Sequence, residues 1–325
     1  MGSLSFVTRR AMGGIAMIIA VVVLNFFLLS AAPGDIADVL AMQAGGATAD
    51  QVEGIRKELG LDKSIFSQMV SYVTNVAQGN LGQSLFYNES VSQLILERLP
   101  NTLILVLPAM FIAVVLGTLL GVLSAYRPRG IFNFGVTLFS LVGFAAPVFW
   151  SGMVLLIVFA YWFPIFPASG MFNIGEHPTG LDAVWQVAHH LVLPVISLSM
   201  VYLAQYSRQA RATMLDVLGS DYVRTARAKG LREMAVVYKH ALKNAVLPVV
   251  TLAGLQFSHA VAGAVLVETV FNWPGLGRLA FDAVLNRDFP LMLGLLLISS
   301  VLVVVVNVLV DWLYSVLDPR IKMGG

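Results

Sequence analysis

Six nearly uncharged apolar stretches, each 18 residues or longer, recur along this chain and restrict its fold more than any other feature. They run from about Ala11 to Ala32, Thr102 to Tyr126, Asn133 to Phe163, His190 to Ser207, Ala245 to Val267 and Leu291 to Tyr314. The hydrocarbon core of a bilayer is about 30 Å thick, and a helix rising about 1.5 Å per residue crosses it in about 20 residues. The sequence therefore predicts an all-α, polytopic membrane protein with six transmembrane helices. Composition agrees, with 58% hydrophobic and 12% charged residues against about 45–50% and about 25% in globular domains. Arg9 and Arg10 precede an apolar run too long for a signal peptide, whose apolar region has about 7–15 residues, so an uncleaved first span is expected.

Basic residues orient the spans. With the amino terminus inside, Arg9, Arg10, Arg127, Arg129, the eight between Arg208 and Lys243, Arg320 and Lys322 lie inside, which is fourteen of the 20 Lys and Arg residues. Because basic residues concentrate in cytoplasmic loops, both termini are expected in the cytoplasm. The expected organisation is a tail and first span over 1–32, an external segment over 33–101, a transmembrane core over 102–314 with an inner loop at 208–243, and a tail at 315–325. In the external segment, Ala49 and Asp50 are candidate helix starts, Val52, Ile55 and Leu59 its apolar positions, and Gly60 its stop.

Pro108, Pro147, Pro194 and Pro248 each fall in a middle span, where a proline removes a backbone hydrogen bond and can bend the helix. They are either hinges or the ordinary prolines of membrane helices. Gly117 and Gly121 form a GxxxG step that lets two backbones approach closely.

Catalytic chemistry has little to draw on. Cysteine is absent, which removes disulfides and thiolates, and there is no HExxH, P-loop or nucleophile elbow. No catalytic or metal-ligating set is expected; His189 and His190 read as an interfacial pair. Glu268 and Asp311 lie close to span boundaries, and so few interior carboxylates weaken an ion-coupled carrier. Gln205, Gln256, His259 and Asn307 either line a polar pathway or bond between helices.

The inner loop from Arg208 to Lys243 is the most basic part of the chain. Ser220 or Asp221 can cap a first helix that runs to Gly230, and a second begins near Leu231. Leu231, Met234, Ala235, Tyr238 and Leu242 follow helical spacing, which predicts one buried face. Such an element suits anionic headgroups or a soluble partner; wedged between two spans, it does not suit nucleic acid.

The stretch "DYVRTARAKGLREMAVVYKHALKNAVLPVV" resembles the signature loop of ATP-binding-cassette importer permeases, E-A-A-x-x-x-G-x9-I-x-L-P. Arg224, Thr225 and Ala226 take the E-A-A places, Gly230 the glycine, and His240 to Lys243 the I-x-L-P places; Ala226, Gly230 and Leu242 match the general pattern. "RTARAKGL" with "HALKNAVLPVVT" looks like the peptide and nickel branch, as do "APGD", "GNLGQSL", "ERLPNTL", "FPASG", "VETVFNWPGLGRL" and "LDPRIK". The resemblance covers nearly the whole chain.

The resemblance implies a type I importer permease fold in a bacterial inner membrane, with a cytoplasmic coupling helix. It implies a homologous second permease subunit, two ATPase subunits or domains that bind ATP and Mg, and an external solute-binding protein. This chain itself is expected to bind no cofactor. Ala226, Gly230 and Leu242 are expected to shape an ATPase-docking surface with Arg224, Thr225, Leu231 and His240, while Arg227, Lys229 and Arg232 tune it electrostatically. Dipeptides or oligopeptides are the expected cargo, nickel, glutathione or another small solute the alternative, and a stand-alone channel or ion-coupled carrier the alternative of another class.

Overall fold

A computed structural model describes residues 3–31, 49–58, 62–126 and 128–317. Regular structure among them is helical apart from an isolated bridge between Gln83 and Ser90. In chain order the helices are α1 (Ser3–Ala31), α2 (Ala49–Glu58), α3 (Ile65–Ala77), α4 (Val91–Tyr126), α5 (Ile131–Ala145), α6 (Val148–Leu156), α7 (Gly180–Leu218), α8 (Asp221–Ala228), α9 (Glu233–Ala235), α10 (Leu242–Ala245), α11 (Leu247–Val270), α12 (Leu276–Leu285) and α13 (Phe289–Leu317). The expected stop at Gly60, the "APGD" and "LDPRIK" motifs and Arg127, Arg320 and Lys322 lie outside the described residues. The chain forms two compact units, one of Met1–Glu97 with Ala280–Gly325, the other of Arg98–Leu279.

In the first unit α1 packs along α13. Asn25 Nδ2 donates to the Leu293 carbonyl at 3.0 Å, and the Phe26 ring lies 6.0 Å from that of Tyr72 on α3. Asp288 caps α13: its Oδ1 accepts from the Leu291 N–H at 3.2 Å, satisfying an amide the helix leaves unbonded. Its Oδ2 accepts from the Ser84 hydroxyl at 2.5 Å and the Phe86 N–H at 3.1 Å, so the same carboxylate ties down the turn between Gln83 and Ser90.

In the second unit α5, α6 and α11 pack on α7. The GxxxG step does what its spacing predicts. A Cβ on Gly117 would stand 2.8 Å from the Leu203 carbonyl oxygen and 2.9 Å from Tyr206 Cβ. One on Gly121 would collide with the Ser207 carbonyl oxygen and stand 2.8 Å from Ala210 Cβ. Only hydrogen fits where α4 crosses α7.

The same unit holds a polar knot at one end of α11. Glu268, fully buried, accepts from the Thr102 hydroxyl at 2.7 Å and the Arg278 N–H at 3.0 Å. Thr102 Oγ1 in turn accepts from the Leu276 N–H at 2.8 Å. Trp273 Nε1 donates to the Asn101 carbonyl at 2.9 Å, and Asn101 Nδ2 donates to the Pro274 carbonyl at 2.8 Å. A Cβ on Gly275 would collide with the Glu268 carboxylate, so glycine lets the chain fold over the acid.

The spans differ from expectation in detail. Among the described residues, α4, α7 and α13 are long and apolar enough to cross a bilayer, counting each of two bent pairs as one span gives up to five, and α1 holds a shorter apolar run from Met12 to Leu28. The third expected span is broken: Ile131–Ala145 and Val148–Trp162 meet at 107°, with Ala146 and Pro147 extended between them. Of the four prolines, only Pro147 stands at that break. Pro108 and Pro194 lie inside continuous helices, and Pro248 sits in the first turn of α11, where its missing N–H costs nothing. The fourth span is longer than predicted, because α7 continues unbroken to Leu218. Residues 208–218, expected in the inner loop, are therefore helix.

Gly121→Ala should lower the thermal unfolding midpoint of the purified protein, since overpacking of this kind costs about 1–3 kcal/mol. Gly135→Ala is the contrast, because a Cβ there meets nothing within 4 Å and helix interiors favour alanine by about 0.5–1 kcal/mol. A midpoint equally unaffected by both would show that the α4–α7 approach is not close.

Candidate functional site

Past Leu218 the chain turns through Gly219 into α8, with Ser220 at the cap position. The Ser220 hydroxyl does not cap; it donates back to the Val217 carbonyl at 2.6 Å. The end of α8 is closed more firmly. Gly230 takes φ +75°, its N–H donates to the Arg227 carbonyl at 2.9 Å, and the Leu231 N–H reaches the Ala226 carbonyl at 3.4 Å. These paired bonds form a Schellman closure, which needs a residue in the left-handed region. Nothing lies within 4 Å of a Cβ built on Gly230, so the demand for glycine comes from the backbone and not from crowding.

The second helix corrects the expected buried stripe. Leu231 is 41% exposed, Met234 59% and Tyr238 38%. From Val236 to Ala241 the chain makes a π-helical turn, whose wider i→i+5 bonding breaks the 3.6-residue spacing. Val236 packs with Val223 and Ala226, while Val237, Ala241 and Ala245 pack with Val122, Ala125 and Met214. Of the predicted stripe, Leu242 packs against this inner cluster, whereas Met234 and Tyr238 line a cavity of about 380 Å³ with Leu123, Tyr126 and Phe132.

Residues predicted to form one surface thus divide in two. Ala226 is buried beneath α8 and Leu242 is partly buried, so both anchor the element. Arg224, Thr225, Lys229, Gly230, Leu231 and Arg232 are exposed, and His240 is half-buried. Arg227, expected to tune a surface, is engaged within the chain. It grips Glu233 across the glycine turn, Nη2 to Oε1 at 2.7 Å and Nε to Oε2 at 3.2 Å, with Nη1 3.4 Å from the Leu218 carbonyl. Hydrogen bonds from Arg227 hold the Glu233 carboxyl below its usual range, and those to Glu233 raise the guanidinium. Both side chains are about 40% exposed, so the pair contributes only about 0.2–1 kcal/mol. Its contribution is complete above the usual carboxylate range and fades as pH falls through the depressed value.

The predicted polar residues also separate. Gln256 Nε2 on α11 donates to Gln205 Oε1 on α7, and both line a cavity of about 490 Å³. His259 is exposed further along α11, and Asn307 is exposed on α13. Histidine pairing is explained locally: His189 Nε2 lies 3.1 Å from the Ile165 carbonyl and His190 Nδ1 2.8 Å from that of Gln186.

Residues 117–323 match the model of the binding-protein-dependent transport system inner membrane component, and 3–106 match that family's N-terminal component. The chain belongs to this family. It is 39% identical over 319 residues to the oligopeptide transport system permease protein AppB of Bacillus subtilis, covering 98% of this chain and 99% of the relative. The dipeptide transport system permease protein DppB of Escherichia coli is 38% identical over 336 residues, and the di/tripeptide transport system permease protein DppB of Pseudomonas aeruginosa 41% over 337; each covers 98% of this chain and 99% of its relative.

In this inner membrane component, sequence reasoning missed Arg208 as a cavity residue. It counted as loop because it follows the apolar stretch, yet it stands within α7, ten residues before its end, with its guanidinium 4.2 Å above the Phe144 ring. The Glu268 knot was missed as well. Its only signal was the cluster of Trp273, Pro274, Gly275 and Gly277 just past a span-end carboxylate.

Gly230→Val should open the α8 turn and speed amide exchange at Leu231 about tenfold, since a β-branched residue at positive φ costs about 1–2 kcal/mol. Gly230→Asn should stay within about threefold of wild type, because asparagine tolerates this conformation. Equal exchange rates in the two variants would refute a backbone role for Gly230.

Proposed function

We propose that this chain is a channel-forming subunit of an ATP-driven, binding-protein-dependent importer of dipeptides or oligopeptides. The observation that carries the proposal is the α8–Gly230–α9 element, strapped to the end of α7 and presenting Arg224, Leu231, Arg232 and Met234 outward. An exposed apolar pair framed by basic residues, on a base fixed by Val223, Ala226 and Val236, has the form of a rigid docking wedge. The partner of that wedge is a cytoplasmic ATPase; Leu231 and Met234 fill its groove while Arg224, Lys229 and Arg232 meet acidic rims. Docking there makes the element a coupling helix, and closure of two ATPase domains is transmitted through it to α7.

In the same proposal both termini and residues 219–243 face the cytoplasm across a bacterial inner membrane. A homologous second permease subunit completes the channel, and an external binding protein delivers the peptide. The named peptide relatives support the cargo. ATP and Mg are held by the ATPase partners; this chain binds no cofactor and catalyses no reaction.

The test is reconstitution with the partner subunits and the binding protein in liposomes. ATP-dependent accumulation of a dipeptide is expected, and Leu231→Asp with Met234→Asp should reduce co-purification of the ATPase at least tenfold while leaving membrane insertion intact. Peptide flux through this chain alone, without ATP, would overturn the proposal.

A further inference from the structure

Arg208 is exposed on one face of α7. It is ten residues before the end of α7, or about 15 Å at 1.5 Å per residue. The residues it meets lie comparably far along their helices: Phe144, itself 48% exposed, is about 20 Å along α5 from Ile131, and Gln256 about 14 Å along α11 from Leu247. A guanidinium facing hydrocarbon so far from a helix end is costly, so it belongs where it faces water or a ligand. Here it borders the cavity of about 490 Å³, whose other polar walls are Gln205, Gln209 and Gln256.

No carboxylate lines this cavity, and among the described residues none pairs with Arg208. The Phe144 ring supports one face of the guanidinium, which leaves the N–H edge available for a planar anion. Gln256 spends its Nε2 on Gln205 and keeps a buried Oε1 with no partner. The site therefore offers a cation with a forked donor edge, an unused carbonyl acceptor and further side-chain amides. A free peptide has the complementary groups: a terminal carboxylate for the fork, an N–H for the acceptor, and backbone amides for the glutamines.

We infer that Arg208, with Gln205, Gln209 and Gln256, forms a station on this exposed face of α7 that takes the terminal carboxylate of the transported peptide. The inference rests on the peptide-importer function proposed above. Arg208 supplies a bidentate, charge-assisted contact, and the glutamines bond the peptide backbone without regard to its side chains. The station selects for a free carboxyl end and leaves the peptide's sequence unread.

The complete complex with its binding protein, in liposomes, provides the test. The probes are alanyl-alanine and its C-terminal amide, and uptake of each is divided by the occupancy of the binding protein, which the substitutions do not touch. Wild type should favour the acid. Arg208→Gln should lower the acid-to-amide ratio about tenfold, through loss of a charge-assisted, bidentate contact. Arg208→Lys, which keeps the charge without the fork, should fall between. Gln256→Glu places a competing carboxylate in the cavity and should also lower the ratio. Co-purification of the partner subunits verifies that each variant assembles. An unchanged ratio in Arg208→Gln and Gln256→Glu, or equal loss of both probes, overturns the station while wild-type peptide uptake leaves the importer standing. A wild-type complex that accumulates neither probe overturns both.

Discussion

The approach of α4 to α7 at Gly117 and Gly121 governs the second unit, because it brings two backbones to a separation that admits no side chain. In lipid there is no hydrophobic drive between helices, and close van der Waals contact is what holds them. Buried Leu105, Val106, Ala109, Met110 and Ala113 of α4 join Leu193, Leu198, Tyr202 and Leu203 of α7 in one core cluster. Once α7 is fixed against α4, the remaining contacts of this unit have a common reference. α5, α6 and α11 pack on α7, and both Arg208 and the glycine turn take their positions from it.

The segment beyond α7 is held by several small constraints acting together. Val223 and Ala226 seat α8 on Val236, the Gly230 closure fixes the direction of exit, and the Arg227–Glu233 pair bridges the turn. Thr213 Oγ1 donates to the Ala245 carbonyl at 3.1 Å, and Asn244 Nδ2 donates to the Tyr222 hydroxyl at 2.8 Å. Each bond is modest, but they join α7, α8 and α10 from different directions. The outward residues are free to differ in chemistry because none of them supports the turn.

Much of this was legible in the sequence. Long apolar runs give spans, GxxxG gives a close crossing, and a glycine after "RTARAK" gives the end of a helix. Where the reading failed, the cause was local. Helical spacing assigned Leu231, Met234 and Tyr238 to a buried face, and a π turn, which carries no simple sequence signal, moved Val236, Val237 and Ala241 inward instead. Hydropathy ended the fourth span at Ser207 because charge begins at Arg208, although α7 continues for another eleven residues. The bonds of Glu268 to Thr102 and of Asp288 to Ser84 join residues more than 160 positions apart in sequence, beyond the reach of any periodicity.

The unbroken length of α7 carries a mechanical consequence. Its 39 residues make a rod of about 58 Å, with the glycine turn following one end and Gln186 near the other. Gln186 accepts from the Asn173 N–H at 3.1 Å and donates to Glu176 at 2.5 Å, so the loop at 171–176 rides on that far end. A tilt of about 5° sweeps one tip of such a rod about 5 Å relative to the other, which exceeds the width of a peptide backbone's hydrogen-bond spacing of about 3 Å. A small rotation imposed at Leu218 is in this way geared up into a displacement large enough to remake the contacts of a loop at the other end of the rod.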